Sequence, residues 1–124
     1  MGAAVTDQRR RLGQAGEQLA AQKLSAYGYQ ILERNWRYGR RGEIDLVAQD
    51  GECLVIVEVR TRRGRRFGTA EESVTPRKQA QLQTLTEAYY MQSGWDGPVR
   101  IDVVAVSLSP QGDLIEINHI KNAV

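Results

Sequence analysis

Glu43, Asp45, Glu58 and Arg60 fall at alternate positions on two apolar runs that meet at Asp50-Gly51. Asp-Gly between β-branched runs is a strong hairpin signal, so the runs are expected to pair as an antiparallel ribbon. With Asp50-Gly51 as a two-residue turn, Gln49 faces Glu52, Val47 faces Leu54, Asp45 faces Ile56 and Glu43 faces Glu58. Alternation then lines one face with Ile44, Leu46, Ala48, Cys53, Val55, Val57 and Val59. The other face carries Val47, Leu54 and Ile56 near the turn and the four charged residues at the open end. Asp45 and Glu58 become diagonal neighbours, roughly 7 Å apart at Cα. Three carboxylates so close repel unless something positive lies among them. Without histidine or thiolate, they suit a hard, oxygen-seeking cation such as Mg2+ or Mn2+. Such an ion binds a phosphate oxygen and lowers the pKa of an attacking water. Metal-dependent phosphodiester chemistry is therefore open to this hairpin. An acid cluster that merely pairs with Arg40, Arg41 and Arg60 is equally open.

The surrounding elements must bring other groups to that end. Asp7 to Tyr27 reads as a helix, with Leu12, Ala15, Gly16, Leu19, Ala20, Lys23 and Tyr27 on one stripe. Gly28 supplies a left-handed stop. Gly13 and Gly16 cost helix stability and imply close packing against a sheet. Glu17 borders the stripe. Tyr29 to Arg37 fits a first strand, and Gly39 to Gly42 a basic turn into the hairpin. The stretch from Thr61 to Val74 is a long connection, of a length that in compact domains is usually functional or mobile. Thr75 caps a second helix, with Pro76 at its first position, that runs to about Met91. Lys78 shares a face with Leu82, Leu85 and Tyr89, so it points towards the body of the protein. Val99 to Ser107 and Leu114 to Ile120 are the last strands. His119 is the only histidine, so zinc or a histidine-based triad has nothing to build on. The order α-β-β-β-α-β-β predicts one domain over residues 1–124, an α/β sandwich with a mixed central sheet flanked by helices.

A hydrophobic fraction of 41% and a charged fraction of 26% fit a globular domain. No apolar run is long enough to span a membrane, and the N-terminus lacks a secretion signal. Cys53 is alone, which excludes an internal disulfide and points to a cytoplasmic setting. The net charge of +2 decides nothing, but all 17 basic residues except Lys23, Lys78 and Lys121 are arginine. Arg9-Arg10-Arg11 form one cluster, Arg34, Arg37, Arg40 and Arg41 a second, and Arg60, Arg62, Arg63, Arg65 and Arg66 a third. Arginine's planar fork suits bidentate phosphate contacts. Two of these clusters flank the acidic hairpin, which favours a polyanionic partner over a merely solubilising surface.

Gly16-Glu17, Gly28-Tyr29, Arg34-Asn35, Gly42-Glu43-Ile44-Asp45-Leu46, Val57-Glu58-Val59-Arg60, Phe67-Gly68, Lys78, Asp102-Val103-Val104 and Asn118-His119-Ile120 together resemble the YraN-like family. These are small bacterial proteins related to archaeal Holliday-junction resolvases. The resemblance implies the restriction-endonuclease-like PD-(D/E)XK fold and an endonuclease that uses Mg2+ or Mn2+ on DNA, branched DNA included. It puts Asp45 at the aspartate position, Glu58 at the acidic position and Glu17 at the first-helix glutamate that completes the metal shell. Glu43 matches the same block. Arg60 departs from the pattern, which has lysine there to position or deprotonate the attacking water. Arginine can hold a phosphate but cannot act as a base. Lys78 could supply the missing ammonium. Three readings follow: an endonuclease using Asp45, Glu58, Glu17, Arg60 and Lys78; a nucleic-acid-binding protein that has lost catalysis; and a partner-binding scaffold with salt-bridged carboxylates. Arg40, Arg41, Arg62, Arg63, Arg65 and Arg66 would contact the nucleic acid. Resolvases of this fold commonly act as homodimers.

Overall fold

Helix α1 (Gly2–Ala26) gives way at Gly28, whose φ of 92° is the left-handed stop expected there, and the chain turns into the sheet. The computed structural model describes residues 2–64 and 74–124, with side chains from residue 7 onward. After α1 come β1 (Gln30–Arg37), a 3-10 turn (Gly39–Arg41), β2 (Glu43–Asp50) and β3 (Cys53–Arg63). Then follow α2 (Pro76–Ser93), β4 (Val99–Leu108) and β5 (Leu114–Ile120). The strands lie in the order β1-β2-β3-β4-β5, parallel between β3 and β4 and antiparallel elsewhere. A parallel pair needs a crossover, and α2 lies within it. The α-β-β-β-α-β-β order read from the sequence is the one observed.

Each helix covers its own apolar layer. Ala20, Ala21 and Leu24 of α1 pack on Leu46, Ala48, Val55, Val57, Val104 and Val106. Leu82, Leu85 and Tyr89 of α2 pack on Val47, Leu54, Ile56, Ile101 and Val103. Burying each large aliphatic side chain contributes about 1.5–3 kcal/mol, so the two layers hold the sheet as a rigid plate. Small residues let α1 sit close: a Cβ on Gly16 would collide with the Thr61 side chain of β3. Gly13 has no neighbour that a Cβ would meet, so of the two helix glycines only Gly16 marks close packing. The buried stripe also runs differently from the expected one. Ala15 is exposed and Tyr27 is 65% exposed, while Ala21 and Leu24 take the inward positions.

On α2, the Thr75 hydroxyl accepts from the Lys78 N–H at 3.2 Å, and Pro76 opens the helix as expected. This cap fixes where the first turn begins and thus where the Lys78 side chain emerges.

The hairpin register differs from the expected one. Gly51 and Glu52, not Asp50 and Gly51, form the turn, and Asp50 pairs with Cys53, Gln49 with Leu54, Val47 with Ile56 and Leu46 with Val57. Gly51 has φ 59° at the first central position, the place where a II′-type hairpin turn needs glycine. Asp50 stays in the strand, where Arg100 Nη1 holds its carboxylate at 3.2 Å. Carried one step beyond the last pair, this register sets Asp45 directly opposite Glu58.

A second difference concerns Ile44. It packs in the α2 layer, although Leu46, two residues on, packs in the α1 layer. Strand alternation therefore breaks at Asp45. Across from it, between the pairs Arg34–Leu46 and Trp36–Ile44, lies Asn35 with φ 52°. A non-glycine residue in the left-handed region twists the ribbon at this point and re-aims its neighbours.

Candidate active site

Four carboxylates and three cations converge where β2 begins, alongside the middle of β3. Asp45 Oδ2 accepts the Val59 N–H at 2.8 Å, which pins its carboxyl group to the next strand. Glu58 is buried, and its charge acts on the Asp45 carboxyl. Glu17 arrives from α1, carried to the cleft by the close approach at Gly16. Together these residues line an open cleft of about 450 Å³ with Glu43, Arg9, Arg60 and Lys78.

The electrostatics follow from that crowding. Desolvation pushes the Asp45 carboxyl up from 3.8 to about 8, and the charges of Glu58 and Glu17 add to the shift. The Val59 N–H works the other way without overcoming it. Asp45 is thus a carboxyl group short of positive charge. Glu58 is better supplied: its Oε2 lies 3.3 Å from Arg60 Nε and 3.5 Å from Lys78 Nζ. Lys78 Nζ also donates to Gln81 Oε1 at 3.0 Å, and Gln81 Nε2 donates to the Arg41 carbonyl at 3.0 Å. This chain of contacts ties α2 to the 3-10 turn and steadies the ammonium. Arg60 Nε is too poorly aligned with Glu58 to hydrogen-bond, and among the described residues it is the buried side-chain donor left without a partner.

Glu17, Glu43 and Asp45 form the group that could share a cation, each offering an oxygen within 4.8 Å of the others. Glu43, which the sequence placed on the block but not in the metal set, stands in this group, while Glu58 faces Arg60 and Lys78. Asn35 holds two of the three acids: its Nδ2 donates to Glu17 Oε1 at 2.9 Å and to Glu43 Oε1 at 3.1 Å. Arg37 Nη2 adds an ion pair to Glu43 at 3.1 Å. Nothing in hydrophobic periodicity singles out Asn35. The available signals are its place in the Arg34-Asn35 pair that carries part of the family resemblance and its residue type, since asparagine is enriched in the left-handed region.

The arginines divide. Arg40 and Arg41 are exposed on the 3-10 turn beside the cleft, with the Arg41 guanidinium 6.0 Å from the centre of the Tyr38 ring. Arg62 is partly buried, its Nε donating to Ser107 Oγ at 3.4 Å. Arg63 is exposed but donates to the carbonyls of Ser109 and Pro110 at 3.3 and 2.6 Å. Arg65 and Arg66 lie outside the described residues. No helix of the described residues is long and apolar enough to cross a membrane.

The model of the uncharacterised protein family UPF0102 matches residues 16–106, a span that contains every carboxylate and cation of the cleft except Arg9. A UPF0102 protein of Symbiobacterium thermophilum is 55% identical over 106 residues, which is 85% of this chain and 89% of the relative. One from Streptomyces coelicolor is 47% identical over 113 residues, 90% of this chain and 87% of the relative. One from Roseiflexus castenholzii is 46% identical over 122 residues, 97% of this chain and 98% of the relative.

Proposed function

The chain belongs to the uncharacterised protein family UPF0102, and from its acidic cleft we propose that it is a Mg2+- or Mn2+-dependent endonuclease that hydrolyses DNA phosphodiester bonds, branched DNA among its substrates. The observation that carries this reading is the desolvated Asp45 carboxyl, pressed against Glu58 and grouped with Glu17 and Glu43, with two cations at arm's length. The likeness of the Gly-Glu-Ile-Asp and Val-Glu-Val blocks to YraN-like proteins, and through them to PD-(D/E)XK nucleases, supports it.

The donor set suits the metal. All ligands are carboxylate oxygens, the class that Mg2+ prefers, with bonds of about 2.1 Å. Oxygens within 4.8 Å of one another need to draw in by only about an ångström, and the jointed Glu17 and Glu43 side chains allow that. Asp45, Glu17 and Glu43 would hold the ion, with Glu58 next to Asp45. A bound ion of this kind supplies Lewis acidity at phosphorus and a more acidic water.

The chain's own residues do the rest. Glu58 fixes Arg60 and Lys78 on the side of the cleft where the substrate backbone must lie. The Arg60 guanidinium, on a side chain that is 37% exposed, holds a phosphate oxygen, the role open to a group that cannot shed its proton. Lys78 takes the part that lysine plays in the PD-(D/E)XK triplet and orients the attacking water through Nζ. Arg40 and Arg41 extend the positive surface along the DNA. A second reading, a nucleic-acid-binding protein without catalysis, is favoured by Arg60 standing at the lysine position.

Labelled four-way-junction, duplex and single-stranded DNA, incubated with Mg2+ or Mn2+, test the proposal. Cleavage that disappears in Asp45→Ala is expected. No cleavage of any substrate by the wild type, or equal cleavage by the variant, rules the nuclease out.

A further inference from the structure

At the far end of β2 from the acids, a second cleft of about 460 Å³ opens against the C-terminal end of α1. A polar network holds Tyr29, Asp50 and His119 of its lining. Asp102, fully buried, accepts from Arg100 Nε at 3.0 Å and from the Asn122 N–H at 2.9 Å, and it shares a 2.7 Å hydrogen bond with His119 Nε2. Arg100 Nη2 donates to the Tyr29 hydroxyl at 2.7 Å, and His119 meets the Tyr29 ring edge-on at 5.8 Å between centroids. Asp50, the carboxylate in the wall, is answered by Arg100. A satisfied buried network of this kind rigidifies what it holds.

The rim is cationic and aromatic. Lys23 Nζ lies 4.9 Å from the centre of the Tyr27 ring, and Lys121 Nζ lies 6.0 Å from that of Tyr29. Among the described residues neither ammonium has a carboxylate partner. Tyr27, 65% exposed, contributes little to the core. Lys23 Nζ donates to the Tyr27 hydroxyl at 3.4 Å; ammonium groups without a carboxylate partner suit phosphates, and an exposed phenol ring suits the face of a base. A duplex keeps its base faces stacked inside, whereas a single strand offers them.

We propose that this cleft binds single-stranded nucleic acid, with a base stacked on Tyr27 and flanking phosphates at Lys23 and Lys121. Roughly 15 Å of α1 separates Glu17 from Tyr27 at 1.5 Å per residue, the span of about four or five nucleotides of one strand in duplex spacing. A strand leaving a branch point at the acidic cleft reaches the second cleft along α1. The binding itself stands apart from the nuclease reading; its use in selecting branched substrates rests on that reading.

Fluorescence anisotropy with a short labelled oligothymidylate in EDTA, next to a blunt duplex of equal length, tests the idea. The wild type binds the single strand. Tyr27→Ala weakens that binding about tenfold, the size of one lost stacking contact. Lys23→Gln with Lys121→Gln lowers the slope of log K against log salt by about 1.4, two phosphate contacts' worth. The Tyr27→Ala variant and the Lys23→Gln, Lys121→Gln double variant keep a wild-type melting profile. If the wild type ignores the oligothymidylate, the proposal falls. It falls equally if these variants bind as the wild type does, or if only Arg40→Gln with Arg41→Gln loses the strand. Single-strand binding that depends on Tyr27 in a protein that cuts no DNA keeps this proposal and removes the nuclease.

Discussion

Asp45 should make the protein less stable as the pH rises, and a divalent cation should reverse that loss. Burial and the neighbouring carboxylates raise its folded-state pKa from 3.8 to about 8. Between those values the folded protein keeps a proton that the unfolded chain has released. The sign follows from linkage: stability is complete below pH 4 and is lost as pH climbs through about 8. The slope inside the window approaches about 1.4 kcal/mol per pH unit. Discounted for relaxation around a partly exposed carboxyl beside Glu58, the loss between pH 5.5 and 8.5 is about 2–3 kcal/mol. For a domain of this size that is a fall in Tm on the order of 10 °C. Asp102 leans the other way. Its hydrogen bonds with His119, the Asn122 N–H and Arg100 outweigh desolvation and lower its pKa, so its contribution is lost only on the acid side of this window. Thermal denaturation across that range, for wild type and for Asp45→Asn, isolates Asp45 from every other titrating group. The variant should lack the Asp45 slope and melt above the wild type at pH 8.5. Mn2+ should raise the wild-type Tm at pH 8.5 far more than at pH 5.5, and should leave Asp45→Asn nearly unmoved. A wild-type Tm that is flat with pH, or a variant that falls in parallel with it, would refute the placement of Asp45 in a desolvated acid cluster.

The other expectations concern its neighbours. Asn35→Gly keeps the left-handed backbone while removing the amide that spans Glu17 and Glu43. Mn2+ affinity measured by calorimetry should fall about tenfold, the scale of a lost outer-shell contact, while Asn35→Ala should also lose stability from backbone strain of about 1 kcal/mol or more. Lys78→Met should lower DNA cleavage by about 10²-fold or more in a single-turnover assay, whereas Arg60→Lys should retain it; the reverse pattern would give the water-orienting role to residue 60. Gly16→Ala should destabilise the fold by about 1–2 kcal/mol in a denaturant titration, because the added methyl meets Thr61. Thr61→Gly in the same chain, which removes every side-chain atom that methyl would meet, should relieve the clash.

The sequence made the architecture legible because its signals were local. Asp-Gly marked the hairpin, Thr75-Pro76 marked the start of α2, and Gly28 marked the end of α1, each through backbone chemistry that needs no tertiary partner. The register was misread for a reason equally local. Asp50-Gly51 admits two turn frames, and in the observed one Asp50 stays in the strand, paired from outside the hairpin by Arg100. The two frames differ by an even number of residues in register, so the side chains from Leu46 to the turn keep their faces. Carried one step past the last pair, Leu46 with Val57, the observed register sets Asp45 opposite Glu58, not diagonal to it.

What periodicity could not supply was the break in periodicity itself. An alternating pattern assigns Ile44 and Leu46 to one face, yet they bury in opposite layers. The residue between them is Asp45, and across the ribbon from it stands Asn35 in the left-handed region. The same twist that sends Ile44 to α2 leaves Asp45 in neither apolar layer, and the Asn35 amide beside it gathers Glu17 and Glu43. A straight strand would keep Ile44 and Leu46 together under α1 and give Asp45 the opposite layer, among Val47 and Ile56, where a carboxylate has nothing to bind. The cost in backbone strain is thus local to the place where the acids must meet. That is the pattern expected when strain is kept for a site, and it makes Asn35 the residue through which fold and chemistry are joined.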